Sequence, residues 1–286
     1  MSGKPAHERL LQMNDWLKKL QNWASPPPIP SAAAVGAVVE GAASGLADVP
    51  GNRFYAIGDL HGCLGLLDKM QAAILQDLAD KPLVHQAARA WLVYVGDYCD
   101  RGPDSAGVLS RLLAPPAGLP PATLLKGNHE DILLAFVYDP EVLVAWRRLG
   151  GLQTLDSYGV DRRLAEQGRD LTEARDALMA RMPPAHLELL QGLPISWRHG
   201  PWFFCHAGVR PGVLLESQGE RDLLWIRHEF LDSTADHGAR VVHGHTPAEY
   251  VEVRPNRINV DTGAYATGRL SCAVLEGDAV RVLMVR

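Results

Sequence analysis

The chain has 286 residues, 47% of them hydrophobic, which allows a sizeable core in one large or two small domains. Its 28 basic and 33 acidic side chains leave a formal net charge of −5 with no basic stripe to gather a phosphate backbone, so nucleic acid is not an expected partner. The four cysteines (Cys63, Cys99, Cys205, Cys272) show no paired spacing and no CxxC, which suits a reducing compartment. No run approaches the ~20 apolar residues of a membrane span, and Met1–Gln21 lacks a secretory pattern, so no membrane partner is expected and the expected location is the cytoplasm.

In chain order, Leu10, Leu11, Trp16, Leu17, Leu20 and Trp23 fall at helical spacing, and Pro26-Pro27-Pro28-Ile29-Pro30 stops that helix. A Pro/Ala/Gly-rich linker follows. Residues 1–52 therefore read as an appendage, free to dock on the body, on another copy or on a partner, and residues 53–286 as the body. There Phe54–Ile57 is expected as a strand, and Leu64–Asp80 as a helix with Leu66, Leu67, Met70, Ile74 and Leu78 on one face. A strand over Trp91–Val95, a helix over Ser105–Leu113, a strand over Thr123–Leu125 and a helix over Glu130–Tyr138 come next. Strand, loop and helix alternating three times predict a layered α/β fold whose site lies beyond the C-terminal ends of the strands.

Residues 140–192 read as helical and charged, broken at Gly150-Gly151 and Pro183-Pro184. They hold none of the ligand-type clusters and are expected to form a cap that shapes the substrate entrance, apart from the chemistry. From Ser196 strands return, at Trp202–Cys205, Arg240–Val242, Arg257–Val260, Ser271–Leu275 and Ala279–Val285, and suggest a second sheet facing the first.

Five short segments close strands with metal-binding side chains: Gly58-Asp59-Leu60-His61-Gly62, Gly96-Asp97-Tyr98-Cys99-Asp100-Arg101-Gly102, Gly127-Asn128-His129-Glu130, Cys205-His206-Ala207-Gly208 and His243-Gly244-His245-Thr246. Each is weak alone, because a lone histidine after a strand is more often a core or capping residue. Jointly they supply ligands for two cations. Mixed carboxylate, amide and imidazole donors suit Mn, Fe or Zn better than Ca, and the set is not a thiolate site.

This ordered series resembles the calcineurin-like metallophosphoesterase superfamily, and within it the phosphoprotein phosphatase branch with its GDxHG, GDxxDRG and GNHE motifs. Leu224-Trp225-Ile226-Arg227 and Asn259-Val260-Asp261-Thr262-Gly263 look like the bacterial and phage-type serine/threonine protein phosphatases. The resemblance runs from residue 53 to about 285. It implies an α/β fold of the four-layer αββα sandwich type with a helical cap insertion. It also implies two divalent ions, Mn2+ first with Fe, Zn or Mg admissible. Asp59 and His61 would hold one, Asp97 would bridge both, and Asn128, His206 and His245 would complete the other. A metal-bridging hydroxide would attack phosphorus directly, with His129 as general acid oriented by Asp100, while Arg101, Arg227 and Asn128 bind the phosphate.

His243 is expected to pack in its strand, and His7, His85, His186, His199, His228 and His237 to face solvent. Cys63, Cys99 and Cys205 adjoin the motifs and read as small semi-buried residues. The implied function is a two-metal phosphomonoesterase acting on phosphorylated proteins or peptides. A symmetrical diadenosine tetraphosphate hydrolase, with a dinucleoside polyphosphate as its substrate, is the alternative among enzymes. An inactive metal-bound scaffold that recruits partners through the N-terminal helix is the alternative outside them. The intact Asp100-Arg101 pair and the Glu130 ending lean toward the protein phosphatase.

Overall fold

The computed structural model describes residues 52–83, 89–166 and 171–286, all within one unit, Ser31–Arg286. The helix expected over residues 7–24, its linker, His7 and His85 lie outside the described residues.

Strand β1 (Arg53–Ile57) is buried along its whole length. Its alternate side chains serve two layers: Phe54 and Ala56 join the core between the sheets, while the Tyr55 hydroxyl donates to Asp77 Oδ2 at 2.8 Å in helix α1 (Leu64–Asp80). A strand covered on both faces needs an uninterrupted apolar run, and the sequence there is Phe-Tyr-Ala-Ile. Helix α1 buries Leu67, Met70, Gln71, Ile74 and Asp77, the i, i+3, i+4, i+7, i+10 stripe of one face. β2 (Ala90–Tyr94) and β3 (Ala122–Leu124) add in parallel, separated by α2 (Ser105–Leu113) and followed by α3 (Asn128–Tyr138). Parallel pairing directs the exits of β1, β2 and β3 to one edge of the sheet, where the first three motifs lie.

The stretch after α3 carries short helices: α4 (Leu143–Trp146), α5 (Gly151–Ser157), α6 (Arg162–Glu166), α7 (Leu171–Arg181) and α8 (Pro184–Gly192). The second sheet then forms from β4 (Ser196–His199), β5 (Trp202–Cys205), β6 (Arg240–His243), β7 (Glu252–Val253) and β8 (Arg257–Asn259), in the order β4-β5-β6-β8-β7. Helices α9 (Glu220–Trp225) and α10 (His228–Leu231) lie between β5 and β6, and α11 (Ala264–Thr267) follows β8.

The last two strands depart from expectation. β9 (Leu270–Glu276) and β10 (Ala279–Val285) belong to the first sheet, whose order is β10-β9-β1-β2-β3. β9 runs antiparallel to β1, with Leu275 opposite Phe54 and Cys272 opposite Ile57. Apolar patterning announces a strand but not its partner, and β1 had an edge that only a later strand could close.

Phe54, Val93, Val95 and Leu125 of the first sheet pack against Trp202, Phe204, Val242 and Ile258 of the second. The outer face of the second sheet, with Phe203, Cys205 and Val241, packs on Leu223, Ile226 and Phe230 of α9, its following turn and α10. The result is the αββα sandwich.

Three histidines expected in solvent are not there. His186 is buried, its ring held between Ser110 Oγ (3.0 Å) and Tyr158 Oη (2.7 Å). His199 is half-buried against Phe54 and Trp91, ring centroids 5.1 and 4.8 Å away. His237 is half-buried against Phe230 at 5.5 Å. The partners of His186 and His199 are distant in sequence, so no local pattern marked them; His237 meets Phe230 only seven residues upstream, but across the end of α10 and an irregular turn that breaks any periodicity. His228 is exposed, as expected.

Candidate metal centre

The five motif loops converge at the strand exits. Among the described residues, those other than glycine with positive φ are His61 (42°), Asp97 (54°), Asp100 (71°), Arg101 (67°) and His245 (70°), all drawn from these loops. A left-handed backbone costs a side-chain-bearing residue about 1–2 kcal/mol, so each needs other contacts to hold it. Glycine allows the loops to approach so closely. A Cβ on Gly102 would collide with the His61 carbonyl oxygen, and one on Gly96, itself at φ 106°, would lie 2.6 Å from the Gly127 nitrogen.

The backbone N–H groups of Leu60 and His61 donate to the Asp97 carbonyl and that of Gly62 to the Tyr98 carbonyl, and two further sets of contacts hold the Gly96–Gly102 loop. The first is the Glu130 carboxylate in the opening turn of α3. It accepts the backbone N–H groups of Asp97, Tyr98 and Gly127, each at 2.8 Å, and of Cys99 at 3.3 Å. Burial, reinforced by the charge of Asp97, pushes this carboxyl up to about 7. The second comes from the helical stretch. Trp146 Nε1 donates to Asp100 Oδ2 at 2.7 Å and Thr154 Oγ1 to Asp100 Oδ1 at 2.6 Å, while the Arg101 N–H donates to the Gly150 carbonyl at 3.2 Å.

The ligand-type side chains face inward and are buried. His61 Nδ1 donates to the Cys99 carbonyl (2.9 Å), which leaves Nε2 facing Asp97 Oδ2 at 3.5 Å. His206 Nδ1 donates to the Val95 carbonyl (2.9 Å), so its Nε2 lone pair meets Asn128 Oδ1 at 2.8 Å, His245 Nδ1 at 3.1 Å and Asp97 Oδ1 at 3.4 Å. His245 Nδ1 lies 2.9 Å from the same Asn128 oxygen. Burial depresses both imidazoles, His206 to about 4, so these rings are neutral at physiological pH. His206 Nε2 set against Asn128 Oδ1 and Asp97 Oδ1 brings lone pairs together, a repulsion that a cation among them would relieve, and the donor set fits a divalent ion.

Two trios of ligand atoms each fall within 4.8 Å: His61, Asp97 and His129, and Asp97, His206 and His245. Asp97 is common to both. Asp59 is buried beside the second, accepting the His245 N–H at 3.1 Å, and its carboxyl is raised by burial and by the charges of Asp261 and Asp97. Burial also raises Asp97, to about 7.

His129 Nδ1 lies 2.6 Å from Asp100 Oδ2, and its Nε2 lies 3.0 Å from Arg101 Nη2 and 3.9 Å from Asp97 Oδ2. Arg227, half-buried, feels the repulsion of Arg101 and the attraction of Asp97, Asp261 and Asp59, which puts it at the same cluster. His243 stays apart, its Nε2 3.5 Å from Arg257 Nη1. The thiols stay protonated: burial lifts Cys63 to about 11 and Cys99 and Cys205 further.

Four contributors escaped the sequence reading: the clamp formed by Glu130, the pair Trp146 and Thr154, and Tyr265. The Tyr265 ring lies 4.8 Å below the Arg101 guanidinium and edge-on to His61 at 5.2 Å. A Trp and a Thr bracketing Gly150-Gly151 inside a charged stretch were the available signal.

The sandwich and its buried Asp/Asn/His cluster define a metal-dependent phosphoester hydrolase. Residues 52–280 match the calcineurin-like phosphoesterase family, and the chain belongs to it. The serine/threonine-protein phosphatase 1 of Salmonella typhimurium is 30% identical over 230 residues, 78% of this chain and 91% of that one. The asymmetrical bis(5'-nucleosyl)-tetraphosphatase PrpE of Anoxybacillus flavithermus is 27% identical over 242 residues, 75% of this chain and 87% of that one. A solved structure described as a candidate diadenosine tetraphosphatase superposes with a TM-score of 0.54 at 23% identity, covering 84% of this chain and 97% of the other, a likeness of fold.

Proposed function

We propose that this chain is a two-metal phosphomonoesterase acting on phosphoserine and phosphothreonine in proteins. Asp59, His61, Asp97, Asn128, His206 and His245 hold the two divalent ions, Mn2+ before Fe, Zn or Mg. When bound, the ions supply the Lewis acidity that activates water and polarises the phosphoryl group.

The protein's own groups do the rest. Arg101 and Arg227 grip the non-reacting phosphate oxygens, and guanidinium forks do this bidentately. The Asn128 amide Nδ2, buried with no hydrogen-bond partner among the described residues, is free to donate to another oxygen. His129 carries the proton to the departing alkoxide. Asp100 accepts from Nδ1 and fixes the ring so that Nε2 faces the substrate. Before substrate arrives Arg101 donates to that same Nε2, and burial keeps the ring neutral; an incoming phosphate competes for the guanidinium and frees the nitrogen to take up a proton from solvent, which it then passes to the departing alkoxide.

The observation that carries this reading is the Asp100–His129 contact of 2.6 Å, fully buried at the edge of the Asp97 cluster. His129→Asn should lower kcat by about 10²–10⁴-fold while metal content holds. Unchanged turnover would remove His129 from the reaction.

For the substrate, similarity to a serine/threonine-protein phosphatase across most of its length favours phosphoproteins. Similarity to a bis(5'-nucleosyl)-tetraphosphatase supports the second reading at the level of a dinucleoside tetraphosphate hydrolase; that relative is named asymmetrical, so the symmetrical cleavage expected from the sequence takes no support from it. One centre serves either. A phosphothreonine peptide should show the higher kcat/KM against diadenosine tetraphosphate, and the reverse order would select the second reading. The filled ligand positions disfavour an inactive scaffold. Residues 1–50 are proposed as a docking segment for a partner. The cytoplasm remains the proposed location; no described helix is long and apolar enough to cross a membrane.

A further inference from the structure

The helical stretch after α3 does more than rim an entrance. Asp100 is completely buried and so are the groups around it, Ser105, His129, Trp146 and Thr154. Its carboxylate receives three donors. Oδ2 takes Trp146 Nε1 at 2.7 Å and His129 Nδ1 at 2.6 Å, and Oδ1 takes Thr154 Oγ1 at 2.6 Å. Thr154 Oγ1 also accepts the Asp100 backbone N–H at 2.9 Å, so one hydroxyl spans the main chain and side chain of the same residue. Ser105 Oγ, 3.0 Å from Thr154 Oγ1, accepts that N–H as well at 3.1 Å. Between the two donors, the Gly150 carbonyl accepts the Arg101 N–H, and a Cβ on Gly150 would collide with that nitrogen. Asp100 and Arg101 both hold left-handed backbone, φ 71° and 67°, a conformation that survives only where neighbours enforce it.

We propose that Trp146, Thr154 and the Gly150 carbonyl are positioning groups for leaving-group protonation: they lock Asp100 and Arg101 so that His129 faces the departing oxygen. None of them touches substrate; Trp146 and Thr154 act through Asp100, and the Gly150 carbonyl through Arg101. Packing alone does not account for the arrangement. Trp146 already has an aromatic neighbour in Phe136, with centroids 5.0 Å apart, yet its single N–H is spent on the oxygen that orients His129. The inference rests on the reading of His129 as general acid.

The test exploits the leaving group. A p-nitrophenolate departs without a proton, whereas phenolate and the alkoxide of phosphothreonine need one. Trp146→Phe keeps an aromatic ring and deletes the donor; Thr154→Val keeps the shape and deletes the hydroxyl; Thr154→Ser restores it. For Trp146→Phe and Thr154→Val, kcat on phenyl phosphate and on a phosphothreonine peptide should fall about tenfold or more, and much less on p-nitrophenyl phosphate. Thr154→Ser should recover most of the loss. A uniform fall on all three substrates, or no fall, would overturn the proposal, and the Thr154 pair decides it should Trp146→Phe fail to fold. Asp100→Asn and His129→Asn belong in the same series. If they too lack leaving-group dependence, the general-acid reading fails; if they show it and the Trp146 and Thr154 variants do not, the positioning role fails alone.

Discussion

Asp97, Asp100 and Arg101 lie within five residues of one loop, and three different duties are proposed for them. Asp97 is the carboxylate common to both ligand trios, Asp100 contacts His129, and the Arg101 guanidinium donates to His129 Nε2 and lies over the Tyr265 ring. The duties should separate on substitution. Asp97→Asn removes the shared charge and should lose metal. Asp100→Asn should retain metal and lose turnover by about 10²–10⁴-fold. Arg101→Ala should mainly raise KM for the phosphorylated substrate while the metal stays. Metal analysis beside steady-state kinetics distinguishes them, and equal metal loss in all three would make the loop a single structural unit. At this scale the site was largely legible, because each motif gathers its ligands and glycines within a few residues. Trp146 and Thr154 were not, since they meet Asp100 across 46 and 54 residues and neither residue type announces a partner.

Among elements, periodicity found α1, α2, α3 and the strands other than the short β4 and β7, but not the one- to two-turn helices α9, α10 and α11, and long-range pairing stayed hidden. The β9–β10 hairpin joins the first sheet, where its Arg281 reaches α1: Nη1 and Nη2 donate to Asp77 Oδ1 and Oδ2 at 2.8 and 3.0 Å. Asp77 also accepts from the Tyr55 hydroxyl at 2.8 Å. Burial opposes its charge, but these donors win and hold the carboxyl down at about 2, below the ordinary 3.8. A depressed folded-state value means stabilisation that is complete above the ordinary value and disappears as pH falls through about 2. Arg281→Ala leaves the buried Asp77 short of its main partner and should cost about 1–3 kcal/mol at pH 7. Urea unfolding at pH 7 and again near pH 2 checks both parts. The cost should shrink sharply at the lower pH, and a cost equal at both would show that packing, not the ion pair, holds the hairpin to the helix.

For the molecule as a whole, two sheets bring five loops from distant parts of the chain into one buried cluster, and that cluster is electrostatically incomplete by itself. Burial raises Asp59, Asp97 and Asp261, and repulsion from neighbouring carboxylates adds to it at Asp59 and Asp97, while burial holds the imidazoles beside them neutral. Divalent cations relieve both conditions, so binding should stabilise the fold as well as enable the reaction, by about 2.7 kcal/mol at a hundredfold excess over Kd. The most direct test is a titration of chelator-stripped protein with Mn2+, following p-nitrophenyl phosphate turnover against equivalents of bound metal. Turnover should be absent at the start and rise to a plateau near two equivalents per chain. Turnover that survives stripping, or a plateau at one equivalent, would contradict a two-metal phosphoesterase.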